Sequence, residues 1–348
     1  MNNIDVTGLE FRQLVLTLSE GCNYRCKHCL CGDEALSGKE GSLTYDEVIK
    51  IIDSAAEVGT FYVVGFVGGE PFLRYNDMLK ISDYVYKNYK CALTLSTNAY
   101  WAVNYDVAIR KLKPLVERGL SSMLISLGDF HLEFGTIETV GNALKAGLEL
   151  GVTCTAQDII TKRSRRIEEF RKMLEPYFDT RKVQWVDNDM AHSGNAEKYV
   201  SYEDLPKKPL EPGDCSVEIN FNVQPDGSVK PCCGGGLKAE RLTMGNAKTE
   251  SVGTIIEKMQ TNPLINALIL GKGPYYLAKL LADNGFPEYL HRSYSGVCDA
   301  CYKFLTDDRT WSLLEPLLEK EKIRLFVNRT LITNYNRMIL EGKQEIAN

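Results

Sequence analysis

The sequence lacks any apolar run of the roughly 20 residues that a membrane-spanning helix requires, so we expect no membrane partner. It also lacks a basic excess, because 46 Asp and Glu outnumber 41 Lys and Arg and give a formal net charge of −5. Nucleic-acid binding needs a positively charged surface, and this balance therefore argues against a nucleic-acid partner. The first residues have neither the basic start nor the apolar core of a signal peptide, which predicts a cytoplasmic protein.

Cysteine, in contrast, is abundant, with 11 residues in a chain of 348. Cytoplasmic thiols are kept reduced, so clustered cysteines there indicate metal ligation or catalysis rather than disulfides. Nine of the cysteines form two groups, one near the N-terminus and one in the C-terminal half. They are Cys22, Cys26, Cys29 and Cys31 in the first group and Cys215, Cys232, Cys233, Cys298 and Cys301 in the second.

The first half of the chain alternates short β-branched or apolar runs with amphipathic stretches. This pattern is typical of repeated βα units around a parallel sheet and favours the α/β class. Cys91 and Cys154 fall within the apolar runs, where a thiol usually belongs to the core. The six predicted strands are Leu14–Leu18, Phe61–Val67, Cys91–Ser96, Ser122–Ser126, Val152–Asp158 and Val183–Asp187.

Two helices carry clear end signals. Thr44 and Glu47 form a capping box in front of an apolar stripe at helical spacing. A second helix is predicted from about Ile137 to Leu150, with Gly151 placed to end it.

The periodicity breaks between about Ser193 and Pro212, where a polar, proline-rich connector predicts a domain boundary. A hairpin is predicted next, since apolar residues alternate from Ile219 to Val223 before a Pro-Asp-Gly turn at 225–227. The second domain therefore opens with extended chain.

Two helical regions follow the hairpin. Residues 264–281 are apolar and predict two short helices that are broken at Gly271 to Pro274. A charged helical tail is predicted from about Trp311.

The first group of cysteines has the C-x3-C-x2-C spacing, at Cys22, Cys26 and Cys29, directly after the first predicted strand. Ligands of parallel α/β sheets bind at the carboxyl edge of the sheet, where this loop lies. Three thiolates on a four-iron cluster leave one iron without a protein ligand, and an open iron indicates catalysis. A structural zinc site is the alternative, although zinc normally takes four protein ligands in such sites.

This loop resembles the signature of the radical S-adenosylmethionine (SAM) superfamily, and three later segments resemble that family in the same order: Gly68-Gly69-Glu70-Pro71, Ser96-Thr97-Asn98, and Ser126 with Asp129. The resemblance implies a partial (β/α)6 TIM-like barrel, in which a 4Fe-4S cluster and SAM generate a 5'-deoxyadenosyl radical. It also implies which residues bind SAM, namely His28, Gly68, Gly69, Glu70, Pro71, Ser96, Asn98, Ser126 and Asp129.

Two positions depart from the family pattern. Many relatives place the Asp one residue before Asp129, and Asn195 stands where the family usually has Arg. The SAM contacts of these two residues are therefore open. Cys31 forms a C-x-C pair with Cys29 and is predicted to have no role.

The second group of cysteines provides the four ligands that a closed cluster needs. Cys215, Cys232, Cys298 and Cys301 resemble the ligands of the twitch or SPASM-type auxiliary domains of radical SAM enzymes. That resemblance implies a second, auxiliary 4Fe-4S cluster in a small C-terminal α+β domain. A zinc site with the same four thiolates is the alternative, because the spacing alone does not distinguish the two.

Cys233 is left over beside Cys232. It is a bystander buried as a small apolar side chain, an alternative ligand, or a donor of a hydrogen atom. The Pro-Cys-Cys segment resembles that of the radical SAM peptide epimerases, which make D-residues and in which the second Cys is the donor. The resemblance implies Cys233 as the catalytic residue, a ribosomally made precursor peptide as substrate, and flavodoxin or ferredoxin as electron donor.

We therefore expect a barrel at 1–200, an auxiliary-cluster domain at 201–310 and a helical tail at 311–348. An oxidative radical reaction on a peptide or an aminoglycoside is the alternative activity, and a zinc-binding module is the non-enzymatic one. His131 and His192 are expected near the rim of the active site, whereas His291 has no predicted role. Because only 21 residues precede Cys22, no N-terminal peptide-recognition domain is expected.

Overall fold

A parallel sheet forms the centre of the protein. The computed structural model describes residues 11–32, 41–213, 215 and 220–347, with side chains as far as residue 331. All six predicted strands are confirmed, and each pairs in parallel with the next one along the chain. They are β1 (Gln13–Thr17), β2 (Val63–Val67), β3 (Ala92–Thr97), β4 (Leu120–Ser126), β5 (Thr153–Ile160) and β6 (Val183–Asp189).

Helices connect these strands, and the two predicted helices are confirmed among them. Glu47 N–H donates to Thr44 Oγ1 at 3.3 Å, and Thr44 N–H donates to Glu47 Oε2 at 2.8 Å, which completes the capping box. Gly151 follows the end of the second helix with a φ of 81°, a conformation that favours glycine. The helices are α1 (Tyr45–Val58), α2 (Tyr75–Asn88), α3 (Tyr105–Val116), α4 (Asp129–Leu132), α5 (Ile137–Glu149) and α6 (Ile167–Leu174).

The two faces of the sheet differ in their neighbours. Met123 of β4 and Cys154 of β5 point toward the helices, because a Cβ on Gly147 of α5 would lie within 2.9 Å of both side chains. Cys154 is fully buried there, as predicted. Since side chains alternate along a strand, Ser122 and Thr155 point to the opposite side. We call this opposite side, which lines the interior of the partial barrel, the lumen face.

The predicted hairpin is confirmed and continues the same sheet. It consists of β8 (Asn220–Val223) and β9 (Ser228–Lys230), and β8 pairs in parallel with β1 from Gln13↔Asn220 to Leu16↔Val223. Ile219, predicted as its first apolar residue, lies outside the described residues. With β10 (Gly245–Asn246), the sheet has the order β10-β9-β8-β1-β2-β3-β4-β5-β6, and β7 (Lys208–Pro209) pairs separately with β11 (Ser293–Tyr294).

The C-terminal part is mainly helical, and the break predicted at Gly271 to Pro274 separates two helices as expected. The last helix buries Leu314, Leu318 and Leu325. The helices are α7 (Asn195–Tyr199), α8 (Val252–Thr261), α9 (Pro263–Leu270), α10 (Tyr275–Asp283), α11 (Glu288–His291), α12 (Val297–Thr306) and α13 (Asp308–Ala347). Short 3-10 helices cover Pro71–Arg74, Thr180–Lys182, Tyr202–Asp204, Gly235–Lys238 and Glu240–Leu242.

The sheet has two free edges, at β6 and β10, within the described part of the chain, so it does not close on itself. This open α/β architecture confirms the predicted partial barrel. None of the described helices combines the length and the apolar composition that crossing a bilayer requires.

Candidate active site at the carboxyl edge of the sheet

The loop after β1 gathers the first group of cysteines. Cys26 is buried, while Cys22 and Cys29 are half-buried. The turn is closed by Cys29 N–H, which donates to the Cys26 carbonyl at 3.1 Å, and Tyr24 N–H points at Cys22 Sγ at 3.3 Å. The main chain thus brings the three predicted iron ligands together in one turn.

The electrostatics of this loop fit a cationic group. Burial, together with the nearby charges of Glu70 and Cys29, raises the pKa of Cys22 to about 11. Burial and the two neighbouring thiols also raise the pKa of Cys26. Three thiolates therefore repel one another here unless a positive charge lies between them, and the iron ions of a cluster would supply that charge.

Cys31 contacts one of the predicted iron ligands. It hydrogen-bonds to Cys29 and, with the backbone N–H groups of residues 31 and 32, lowers the pKa of Cys29 to about 6. The pKa of Cys31 itself is raised by the same hydrogen bond and by burial. Cys29 is therefore the most acidic of the three predicted ligands. The C-x-C spacing placed the two residues side by side in sequence but did not indicate a hydrogen bond between their thiols.

The Gly-Gly-Glu-Pro segment packs against the cysteine loop through its main chain. Glu70 N–H donates to the Gly21 carbonyl at 2.8 Å, and Gly69 N–H donates to the Ser19 carbonyl at 3.1 Å. A Cβ on Gly69 would lie only 2.0 Å from the carbonyl oxygen of Gly21. Glycine is thus required at 69 by the close approach of two main chains.

The Glu70 side chain is buried, with 2% of its surface exposed, at the carboxyl ends of β2 and β3. Its carboxylate accepts hydrogen bonds from Phe72 N–H at 3.0 Å, Thr97 Oγ1 at 2.8 Å and Asn98 N–H at 2.7 Å. Burial outweighs these donors and raises the pKa of Glu70 to about 7. A cationic ligand group near this carboxylate would favour its charged form.

Asn98 links the third strand to the cysteine loop. Its Nδ2 donates to Asn23 Oδ1 at 3.1 Å and points at Cys22 Sγ at 3.8 Å. Ser96 precedes it on the lumen face of β3, in register with Leu124 of β4. The structure therefore gathers the Cys22, Glu70 and Asn98 positions at one edge, as the family pattern predicts.

Two imidazoles lie together beside the cysteine loop. The rings of His28 and His131 are 4.7 Å apart, and Phe130 lies 5.0 Å from His28. Burial lowers the pKa of His28, and it lowers that of His131 to about 4, so both rings are neutral. The Nδ1 atoms of both are buried without a partner in the described part of the chain. Buried polar atoms normally have a partner, so these two rings are held together at some cost to stability.

Asp129 and Ser126 follow the fourth strand. Asp129 accepts from Arg165, whose N–H and Nε lie 2.9 and 2.7 Å from its two carboxylate oxygens. The predicted SAM contact of Asp129 would have to share the carboxylate with this guanidinium. Ser126 lies on the lumen face in register with Gln157.

Asn195, the first residue of α7, is hydrogen-bonded to the main chain of the cysteine loop. Its N–H donates to the Cys29 carbonyl at 2.9 Å, and its Nδ2 donates to the Cys26 carbonyl at 3.2 Å. The side chain is buried, with 2% exposed. The sequence indicated this position only as a departure from the family pattern, whereas the structure gives it a positioning role.

The second group of cysteines converges at the C-terminal end of the hairpin. Burial and the charges of neighbouring cysteines raise the pKa of Cys232 and of Cys301, and Cys298 and Cys215 are among the neighbours of both. A Cβ on Gly234 would lie 2.8 Å from Cys298 Sγ. The four predicted ligands of the auxiliary cluster are therefore close together.

Cys233 differs from all other cysteines. Each of the other ten is buried or half-buried, whereas Cys233 is exposed. Asn220 Nδ2 points at Cys233 Sγ at 3.9 Å, across the hairpin. Cys233 is thus accessible from solvent, and it is also close to the other thiols, since its charge adds to burial in raising the pKa of Cys232 and of Cys298.

Asp299 anchors the C-x2-C segment on α12. The fully buried carboxylate accepts from Tyr202 Oη at 2.8 Å, Ser295 N–H at 3.0 Å and Lys303 Nζ at 3.0 Å. It also accepts a hydrogen bond from His192 N–H at 3.3 Å, so His192 lies against this anchor.

In the described ranges, no three His, Cys, Asp or Glu side chains surround a point where one metal ion could bind.

The same features occur in a known class of proteins. Residues 16–175, from β1 to the end of α6, match the Radical SAM superfamily. The barrel of this chain therefore contains a radical SAM domain, which is the part that the match covers.

The chain is similar to particular members as well. It is 20% identical over 310 residues to YydG of Bacillus subtilis (strain 168), whose name assigns it to peptide biosynthesis; the match covers 88% of this chain and 95% of YydG. It is 29% identical over 180 residues to the GTP 3',8-cyclase of Pasteurella multocida, covering 49% of this chain and 51% of that enzyme. The structure of anSMEcpe with bound AdoMet shares the fold, with a TM-score of 0.53, 16% identity, and coverage of 92% and 95%.

Proposed function

We propose that this enzyme converts an L-residue of a ribosomally made peptide into its D-epimer. The observation that carries the proposal is the exposed thiol of Cys233, which lies beside four thiols that face one another. Similarity over most of the chain to YydG supports a peptide as the substrate.

The residues present fit the cofactors of such an enzyme. Cys22, Cys26 and Cys29 would hold a 4Fe-4S cluster, and Cys215, Cys232, Cys298 and Cys301 would hold the auxiliary one. When bound, SAM and the reduced first cluster would supply a 5'-deoxyadenosyl radical that removes the substrate hydrogen. SAM would lie against His28, Gly68, Gly69, Glu70, Pro71, Ser96, Asn98, Ser126 and Asp129.

The proposed role of Cys233 is to return a hydrogen atom. Its S–H bond breaks while a C–H bond forms at the α-carbon radical, on the face opposite to the one that lost hydrogen. Cys233 is left as a thiyl radical, which regains one electron and one proton. An external donor such as flavodoxin or ferredoxin supplies the electron, and SAM is consumed in each turnover.

Asn220 would position this thiol. Its amide points at Cys233 Sγ from β8, a strand that is paired with β1 and is therefore fixed relative to the cysteine loop. The proposed division of the chain assigns the radical SAM barrel to residues 1–200, the auxiliary cluster to 201–310 and the tail to 311–348, with the hairpin of the second part extending the barrel's own sheet.

The test uses a short precursor peptide identified from neighbouring open reading frames. After anaerobic reconstitution, incubation in D2O should place one deuterium at a substrate α-carbon and produce a D-residue. Cys233→Ala should still form 5'-deoxyadenosine but yield no D-residue. Cys91→Ala, which removes the thiol of the residue just before β3, should retain epimerisation. Formation of the D-residue by the Cys233→Ala variant would overturn the donor role.

The same experiment separates the alternatives. A product that has lost two hydrogens and carries no deuterium would indicate an oxidative reaction, such as cross-linking of a peptide or dehydrogenation of an aminoglycoside. Protein that contains zinc, lacks iron and forms no 5'-deoxyadenosine would indicate a metal-binding module.

A further inference from the structure

The lumen face of β5 and β6 carries a pair of amide side chains at its carboxyl end. Gln157 and Ile159 point into the lumen from β5, and Asn188 of β6 is in register with Ile159. The neighbouring Asp187 points the other way, because it accepts from Ile167 N–H at the start of α6. Gln157 and Asn188 are therefore on the face that a substrate would meet.

The two amides are bonded to each other in a way that leaves complementary groups free. Asn188 Nδ2 donates to Gln157 Oε1 at 3.2 Å. Gln157 Nε2 then remains as a donor and Asn188 Oδ1 as an acceptor, and neither has a protein partner in the described part of the chain. If the nitrogen and oxygen positions of both side-chain amides were exchanged, one donor and one acceptor would again remain.

This pair lies beside one of the predicted SAM contacts. Gln157 of β5 is in register with Ser126 of β4, and both side chains are on the lumen face. A molecule held by the amide pair would therefore lie next to the predicted SAM site.

The charge of the surrounding wall indicates what kind of molecule this is. Every side chain on the lumen face of β4, β5 and β6 is neutral, and the polar ones are hydroxyls and amides. An aminoglycoside is polycationic and calls for carboxylates, whereas a peptide backbone is neutral and offers N–H and C=O groups in pairs. Besides the amide pair, the polar residues on this face are Ser122, Ser126, Thr153, Thr155 and Gln184.

We infer that Gln157 and Asn188 bind the main chain of an extended peptide, with Gln157 donating to a carbonyl oxygen and Asn188 accepting from the N–H of the same residue. In an extended chain these two groups of one residue point to the same side, as in a hydrogen-bonded pair of an antiparallel sheet. The inference rests on the proposed function for its peptide substrate and adds the part of the peptide that is recognised.

The test measures binding rather than turnover. The probe is a fluorescein-labelled, terminally blocked octapeptide of alternating glycine and valine, compared by fluorescence anisotropy with the same peptide N-methylated at every residue. Full-length protein should bind the unmethylated probe about tenfold more tightly, because methylation removes the N–H that Asn188 accepts.

Variants separate the amide pair from the rest of the lumen. Gln157→Ala and Asn188→Ala should each weaken binding of the unmethylated probe about tenfold, and Asn188→Ala should abolish the preference over the methylated one. Gln157→Glu keeps the acceptor for Asn188 but removes the donor, and should weaken binding as Gln157→Ala does. Gln184→Ala, on the same face two residues before Val186, is the control and should bind as the wild type does.

Equal binding of the two probes by the wild-type protein, or a Gln184→Ala effect as large as that of Gln157→Ala, would overturn the inference. Failure of epimerisation leaves these binding results unchanged, because they require neither SAM nor a reductant. Loss of the Cys233 role and loss of the amide pair are therefore distinguishable.

Discussion

At the scale of single residues, the carboxyl edge of the sheet contains several buried groups whose ionisation is displaced by their surroundings. Asp158 is the clearest case away from the cysteine loop. It is 1% exposed, and burial raises its pKa to about 7. Its Oδ1 accepts from Ile159 N–H at 2.7 Å, whereas its Oδ2 has no partner in the described residues. At neutral pH the fold therefore carries a poorly compensated carboxylate.

Removal of this charge should stabilise the protein in a pH-dependent way. The pKa of Asp158 is higher in the folded state than in the unfolded state, so its contribution to stability is present below about pH 4 and is lost as pH rises through about 7. Asp158→Asn does not titrate. Its free energy of unfolding relative to wild type should therefore increase between pH 5 and pH 8, by about 2 kcal/mol.

Urea unfolding of both proteins at the two pH values measures this difference. Asp179→Asn is the control, because Arg181 lowers the pKa of that carboxyl to about 2 and it stays charged over the whole interval. If the free energy of unfolding of Asp158→Asn relative to wild type is the same at pH 5 and pH 8, the pKa of Asp158 is not raised in the folded protein.

At the scale of elements, the strands and helix caps could be predicted because their signals are local. Thr44 and Glu47, which lie within four residues of each other, predict the start of α1, and the apolar runs predict six strands. The C-x3-C-x2-C spacing likewise identifies its own loop. Hydrogen bonds between distant segments leave no such signal. Asn195 reaches Cys26 across 169 positions, and Asp299 reaches His192 across 107.

The pairing of β8 with β1 was beyond prediction for the same reason. A hairpin can be read from its turn, but its neighbour in the sheet depends on strands that are 200 residues earlier in the chain. The pair of Gln157 and Asn188 could not be predicted either. The two amides can form a hydrogen bond only because adjacent strands place them on the same face of the sheet.

The C-x2-C segment of α12 should depend on the anchor at Asp299. Asp299→Asn removes the charge that Lys303 and Tyr202 contact and places an amide N–H against at least one donor. We expect the free energy of unfolding to fall by about 2 kcal/mol. Reconstituted protein should also hold fewer irons, while the iron retained by the first cysteine loop stays in place.

Iron analysis with thermal unfolding measures both effects. Asp308→Asn is the matched control, since this carboxylate pairs with Arg241 at 2.6 Å but its side chain is 93% exposed. Such surface pairs contribute little. Full iron content in the Asp299→Asn variant would argue against the anchoring role.

At the scale of the whole molecule, the tail helix is an integral part of the core. Leu314, Leu318 and Leu325 of α13 are buried in the same apolar core as the residues of α9 and α10. The helix therefore stabilises the C-terminal part through these buried leucines, and none of its described side chains is among the candidate site residues.

Leu318→Ala should lower the free energy of unfolding by about 2 to 5 kcal/mol, because it leaves a cavity in this core. Ile323→Ala, on the exposed side of the same helix with 80% of the residue exposed, should change it by less than about 0.5 kcal/mol. Chemical denaturation gives both values. Similar effects of the two substitutions would mean that α13 is not packed as described.

One feature of the sheet has a mechanical consequence. Because β8 is bonded directly to β1, the strand that leads to Cys22 and the hairpin that leads to Cys233 belong to one rigid ladder. Within the described residues, this ladder fixes the distance between the predicted SAM site and the thiol proposed to return hydrogen when the protein folds. A peptide substrate of the proposed epimerase would then have to adapt its own shape to this distance, and substrates would be selected by how readily they bend or extend.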